Sequence, residues 1–189
     1  MKPQLSTGLP DDEFASDGLL TKRVLRAAAL SSLAPSGDEL LWDLGAGSGS
    51  IGIEWCRLHP ANRAVAVERD PDRLSRIAAN AERHGVVDRL RIVAGSIADN
   101  LPNLPAPDAV FVGGGVEADV LETSWTALAT GGRLVAHSVT ADSDAVLLDA
   151  YRRYGGELLR IGLEYAEPIG RFTGFRPART VTAWAVGTS

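Results

Sequence analysis

The chain is 189 residues long, 45% hydrophobic and 23% charged, with a formal net charge of −5. That is one domain's worth of sequence, with enough apolar side chains to cover both faces of a sheet, and it excludes a disordered chain. The acidic balance speaks against duplex nucleic acid, whose phosphates reward a basic face. No apolar run approaches the roughly 20 residues that span a bilayer, so no membrane partner is expected either.

The single cysteine, Cys56, has no partner for an internal disulfide, and no hydrophobic signal core precedes Asp11, Asp12 and Glu13. Both features suit a cytoplasmic protein; Cys56 itself reads as a small apolar helix residue. Residues 1–20, rich in Pro, Gly and acids and without a period, read as an N-terminal arm, and 21–189 as one domain. A helix is predicted from Thr21, with Val24, Leu25, Ala28 and Leu33 along one face. Asp17 or Thr21 is its expected cap and Pro35-Ser36-Gly37 its stop.

The chain then alternates. Short apolar runs at Leu40–Leu44, Ala64–Val67, Leu90–Val93, Ala109–Val112 and Leu134–Ala136 read as buried parallel strands. Helical stretches at Ile51–Leu58, Asp72–His84, Glu117–Leu128 and Ser143–Tyr154 separate them. In the second of these helices Leu74, Ile77, Ala78 and Ala81 form the apolar stripe. Three prolines between Asn100 and Asp108 mark a loop. At the end, the runs Glu157–Tyr165 and Thr180–Val186 follow one another without a helix, joined by a Gly- and Arg-rich stretch, and are expected to pair antiparallel. The fold class is therefore α/β: a doubly wound, seven-stranded, mostly parallel sheet with an antiparallel last strand. That arrangement resembles class I S-adenosylmethionine-dependent methyltransferases.

The first strand runs into Gly45-Ala46-Gly47-Ser48-Gly49 and then a helix. The pattern departs from the dinucleotide fingerprint, because Ser50 stands where that fingerprint has Gly or Ala and the third glycine comes one residue early. Asp43, two residues before the first glycine, would repel a pyrophosphate by about 4 kcal/mol at 4 Å and an effective dielectric near 20. S-adenosylmethionine carries no phosphate but a sulfonium and an ammonium, so the acid favours it over NAD. Glu68, closing the second strand, suits an acceptor of both ribose hydroxyls. Ser96 and Ile97, after the third strand, lie where an adenine is usually met; Ile97 reads equally well as a core residue of the next helix.

Gly113, Gly114 and Gly115 follow the fourth strand, on the edge where a substrate would meet the methyl group. They imply either close backbone approach or mobility. His137, after the fifth strand, is a candidate substrate contact, and no pair among His59, His84 and His137 has metal-ligand spacing. Arg171, Arg176 and Arg179, mixed with Phe172 and Phe175, read either as carboxylate anchors or as a solvated hairpin loop.

The opening segment Gly8-Leu9-Pro10-Asp11-Asp12-Glu13-Phe14 with Thr21-Lys22, followed in order by Gly45–Gly49, Glu68 and Val112-Gly113-Gly114-Gly115, resembles the decarboxylating precorrin methyltransferases of cobalamin (vitamin B12) biosynthesis. The similarity is to the C-terminal, C15-methylating half of the precorrin-6Y C5,15-methyltransferases. The resemblance implies methylation of a precorrin at C15 with decarboxylation of the ring C acetate, S-adenosylmethionine as cofactor, and cofactor contacts at Thr21, Gly45–Gly49, Glu68 and Ile97. It also implies a homotetramer and a domain often fused to, or working with, a C5-methylating one. A tRNA adenine-N1-type methyltransferase of similar fold is the alternative, disfavoured by the acidic balance.

Overall fold

The computed structural model describes residues 7–188; residues 1–6 of the arm and residue 189 lie outside the described residues. Among the described residues, helices α1 (Arg23–Leu33), α2 (Ser50–Leu58), α3 (Pro71–Arg83), α4 (Ile97–Asn100), α5 (Ala118–Ala127) and α6 (Ala141–Tyr154) are threaded between nine strands. The first five strands are β1 (Leu40–Leu44), β2 (Arg63–Glu68), β3 (Leu90–Ala94), β4 (Ala109–Val112) and β5 (Arg133–Ser138). The last four are β6 (Glu157–Ile161), β7 (Glu164–Ile169), β8 (Phe172–Pro177) and β9 (Val181–Gly187).

Seven strands form one sheet in the order β3-β2-β1-β4-β5-β9-β6, and β7 and β8 form a separate two-stranded sheet. Strands β1 to β5 pair in parallel, and β9 inserts antiparallel between β5 and β6. Because side chains alternate along a strand, Leu41 faces a core under α1, α2 and α3, while Trp42 and Leu44 face a second core under α4, α5 and α6. The sheet is buried on both faces, as its continuous apolar strands require.

Local expectations change at the terminal runs, in α1 and in α3. The run Glu157–Tyr165 is not one strand but breaks at Gly162, and its end pairs with the Gly- and Arg-rich stretch as the β7–β8 hairpin, turned by Gly170 and Arg171 with Gly170 at φ +58. The core face of α1 is Leu25, Arg26, Ala29, Leu30 and Leu33; Val24 turns outward and Ala28 is half-buried. In α3 the buried face is Ile77, Asn80 and Ala81, with Ala78 exposed. Pro71 at the first position and the Asp70 side chain, accepting from the Asp72 and Arg73 amides, start this helix.

Residues 7–20 form a strap folded onto the domain, with Phe14 and Leu20 in the core. Arg26, wholly buried, holds it from inside: Nε donates to Glu54 Oε1 and Nη1 to Asp11 Oδ1, each at 2.8 Å, and further bonds reach the carbonyls of Leu9 and Thr21. Glu54 in turn accepts from the Gly8 and Leu9 amides at 2.6 and 3.1 Å. The cap of α1 is neither Asp17 nor Thr21. Lys22 occupies the cap position without a side-chain bond, and Asp11 Oδ1 accepts from Arg23 N at 2.9 Å.

A buried charge survives only with its partners in place. Arg26→Ala leaves Glu54 without its cation and the strap without its anchor, and is expected to lower the unfolding free energy by about 3–5 kcal/mol in urea titrations. A loss under about 1 kcal/mol, the range of an exposed ion pair, would show that Arg26 is not the anchor.

Candidate cofactor and substrate site

All five parallel strands end at the same edge of the sheet, so the segments after β1 (Gly45–Gly49), β2 (Glu68), β3 (Ser96, Ile97) and β4 (Gly113–Gly115) meet there. In open α/β sheets the crevice outside the carboxyl ends of the strands is where ligands bind.

The glycine turn is held by its neighbours. Gly45 and Ala46 donate to Val67 O at 3.0 and 3.1 Å, and Gly49 closes the turn onto Ala46 O at 2.8 Å. Gly45 has φ +67, and a Cβ there would stand 2.6 Å from Gly114 O, so only a residue without a side chain lets the turns after β1 and β4 touch. Gly47 has φ +60 and no atom within 4 Å of where its Cβ would be, which leaves bare backbone facing open space. Ser48 is buried in the turn.

Glu68 is 5% exposed, and its carboxylate already accepts three amides: Gly47 at 2.9 Å, Arg69 at 2.9 Å and Asp70 at 3.0 Å. A carboxylate has about four acceptor positions, so these bonds fix its orientation and leave room beside Oε2, the oxygen on Gly47. Asp43, expected beside the ligand, instead lies beneath the turn. It is 1% exposed, and its Oδ2 accepts from Gly52 N at 2.9 Å, supplying the cap that Gly49 cannot give α2. Burial pushes its carboxyl up to about 7; the Gly52 bond opposes that and the nearby Glu68 charge adds to it.

Ser96 caps α4 by accepting from Asp99 N at 3.1 Å. Ile97 is half-buried against the second core, and its Cδ1 lies over Gly115 on the β4 turn. Thr21 is half-buried, and its carbonyl is tied to Arg26.

His137 lies near the carboxyl end of β5, opposite Ala183 of β9, and the hairpin leaves the sheet at that same edge, between Ile161 of β6 and Val181 of β9. His137 packs edge-on against Phe111, 5.2 Å between centroids, and lines a cavity of about 30 Å³ with Ala28, Ser32, Leu159 and Ala183, none of them from the glycine turns. Burial holds it down to about 4, so its imidazole is neutral near pH 7. Arg171 sits at the tip of the hairpin, its guanidinium 5.0 Å over Phe172; Arg176 pairs with Glu167 at 2.7 Å; Arg179 precedes β9. Arg171 and Arg176 are roughly 17 Å apart along an extended strand at about 3.3 Å per residue. Cys56 is buried, its thiol raised to about 12 by that burial, as befits a packing residue.

Arg26, Glu54 and Asn80 escaped notice in the sequence. Their signal was a polar residue set inside an apolar helical stripe, as with Asn80 between Ile77 and Ala81.

A doubly wound sheet with a glycine turn after β1, an acid closing β2 and an antiparallel strand between β5 and β6 is the class I S-adenosylmethionine-dependent methyltransferase fold. Residues 12–188 match the precorrin methyltransferase domain family, and the chain belongs to it. A Sinorhizobium precorrin-6Y C(5,15)-methyltransferase [decarboxylating] is 50% identical over 96% of this chain and 44% of its own length. The chain thus spans about half the length of the first curated relatives it matches, another being 45% covered. A Pyrobaculum aerophilum protein named "Probable cobalt-precorrin-6B C(15)-methyltransferase (decarboxylating)" is 32% identical, covering 97% of this chain and 98% of that one. The crystal structure of the C-terminal domain of precorrin-6Y C5,15-methyltransferase from Rhodobacter capsulatus has a TM-score of 0.92 at 41% identity, covering 97% of this chain and 98% of that one. Family membership sets aside the tRNA adenine-N1 alternative.

The raised Asp43 has a consequence for stability. The unfolded chain releases this proton near 3.8 and the native state only near 7. Stability from this group therefore falls as pH rises through that window, and its full cost is present above pH 7. Asp43→Asn keeps an acceptor for Gly52. Between pH 5 and 8 the wild type should lose up to about 3 kcal/mol more stability than the variant, at roughly 1.4 kcal/mol per unit. Parallel stability curves for the two proteins would mean that Asp43 is ionised in the native state throughout.

Proposed function

We propose that this chain transfers a methyl group from S-adenosylmethionine to C15 of a precorrin, with decarboxylation of the ring C acetate side chain, in cobalamin biosynthesis. The observation that carries the reading is the Gly47 backbone, bare and facing open space beside the fixed carboxylate of Glu68, in a chain of the precorrin methyltransferase domain family. Gly45, Ala46, Gly47, Ser48 and Gly49 would cradle the cofactor, Glu68 would accept from its ribose, and Ser96 and Ile97 would border its adenine. Thr21 would close over it, and Asp43 would act through the start of α2. The cofactor supplies an electrophilic methyl on a sulfonium.

The chain itself then has to orient the substrate and keep water out. An electron-rich tetrapyrrole carbon is its own nucleophile, in keeping with a crevice edge built from Gly113, Gly114 and Gly115 rather than from a general base. His137, neutral near pH 7, would offer a hydrogen bond and not a charge. Arg171, Arg176 and Arg179 would meet the carboxylates of the macrocycle as separate contacts along the hairpin. Tyr165, Ile169, Phe172 and Phe175 are exposed there, an apolar surface that assembly into a homotetramer would cover. The same reading has the domain working in the cytoplasm with, or fused to, a C5-methylating one.

The direct experiment is incubation with S-adenosylmethionine and a precorrin lacking the C15 methyl, read by product mass; gain of a methyl with loss of carbon dioxide is expected. Calorimetry should show binding of S-adenosylhomocysteine and none of NAD, and tight NAD binding would end the methyltransferase reading. Glu68→Ala should weaken S-adenosylhomocysteine by about 1.5–3 kcal/mol, the range for hydrogen bonds to a charged group, and Gly47→Val by more.

The arginines predict a different pattern. Replacing Arg171, Arg176 or Arg179 by Ala should raise the KM for the precorrin and leave cofactor affinity unchanged. Three single variants with wild-type kcat/KM would show that the polyanion is held elsewhere.

A further inference from the structure

The strap runs antiparallel along α3, and alternate residues touch successive turns of the helix. The Glu13 carbonyl meets His84 Nε2 at 3.0 Å, Ala15 meets Asn80, and Asp17 pairs with Arg73 and Arg76 at 2.9 and 3.3 Å. Of the outer contacts, the one at His84 is a part-buried hydrogen bond to backbone and those of Asp17 are partly exposed ion pairs. The middle one is not: Asn80 is 1% exposed, and all its hydrogen-bonding groups used here face backbone. Its Oδ1 accepts from Ala15 N at 2.9 Å, and its Nδ2 donates to Ala15 O at 3.0 Å and to Ser48 O at 2.9 Å. The amide orientation follows from these partners, since both carbonyls require the nitrogen. Ser48 is the fourth residue of the glycine turn, and Ile77, one helical turn earlier, packs beneath Gly49. One carboxamide thus joins the strap to the segment expected to cradle the cofactor.

A side chain with two donors on one atom and an acceptor beside it is what this position demands. Aspartate would turn both donors into acceptors facing carbonyls, and alanine would leave Ser48 O and the Ala15 amide and carbonyl short of a partner. We propose that Asn80 is a positioning residue for the cofactor: it sets the Ser48 carbonyl from a docked strap, so that strap docking and cofactor binding favour one another. The proposal rests on the cofactor reading above. If cofactor binding tightens the strap, strap docking tightens the cofactor by the same factor.

The test uses the full chain and S-adenosylhomocysteine. Phe14 is 5% exposed, so chymotrypsin reaches the Phe14–Ala15 bond only when the strap lifts, and the rate of that cleavage, followed by mass spectrometry, reports the lifted population. Saturating S-adenosylhomocysteine should slow this cleavage about tenfold in the wild type, within the usual 5–150-fold range of coupling. In Asn80→Ala and Asn80→Asp it should slow it less than twofold. Asp17→Ala, which loosens the strap at its exposed end, should speed cleavage with and without ligand and keep the ratio. A merely structural Asn80 would behave like Asp17, changing the rates and not their ratio. An unchanged ratio in the Asn80 variants overturns the proposal. So does a wild type that binds S-adenosylhomocysteine by calorimetry without any protection of Phe14, a result that needs no variant to fold. A wild type that does not bind S-adenosylhomocysteine overturns the cofactor reading itself, and the coupling with it.

Discussion

Val67 O accepts two amides from the glycine turn, Glu68 accepts the next, and the Asn80 carboxamide binds the Ser48 carbonyl. A turn rich in glycine is costly to order, because glycine surrenders more backbone freedom than any other residue. Here that entropy is offset in advance by neighbours on β2 and α3, so the turn holds its shape before any ligand arrives. Preorganisation of this kind reduces what binding must spend on ordering. The rest of the site depends on it: Gly114 can approach Gly45 only because the turn is fixed, and Ile97 reaches Gly115 only because the β4 segment then has a fixed place.

The buried charges serve the same end by a more expensive route. Arg26 and Glu54 carry opposite charges into the interior, where a pair of this kind gives little net stability over a well-packed apolar pair. What the pair supplies is direction. Arg26 reaches Asp11 and the Leu9 and Thr21 carbonyls, and Glu54 takes the Gly8 and Leu9 amides, so one ion pair specifies where a segment with only one short 3-10 turn, Asp11–Glu13, must lie. The opening segment of the sequence is thus rich in turn and acid residues for a structural reason: Asp11 caps α1, and Phe14 lies under the Arg26 guanidinium, 4.8 Å from its ring centroid.

Where β6 ends and β9 begins, at the edge on which the parallel strands also end, the design is reversed. The β7–β8 hairpin has its own backbone ladder, yet Ile169, Phe172 and Phe175 on it are each more than 60% exposed. A two-stranded hairpin is marginal in water by itself. Its aromatic surface is open, in contrast to the glycine turn held by β2 and α3, and suits large or variable contacts.

The strand–helix alternation, the glycine turn and the antiparallel pairing of the terminal runs were determined by the sequence alone, because each rests on local periodicity, on glycine geometry or on the absence of a helix between two strands. Glu68 at the end of β2 was legible for the same reason. The roles of Arg26, Glu54, Asn80 and Asp43 were decided only in the tertiary structure. Gly8 and Glu54 are 46 residues apart and Ala15 and Asn80 are 65 apart, and no periodicity connects such partners. Asp43 was read as facing a ligand because it precedes the glycine turn. Strand alternation sends it inward instead, where Gly52 N needs an acceptor. The division of the Glu157–Tyr165 run into β6 and β7 was missed because Gly162 interrupts an apolar run without changing its β character, and only the register of β6 on β9 shows where the main sheet ends.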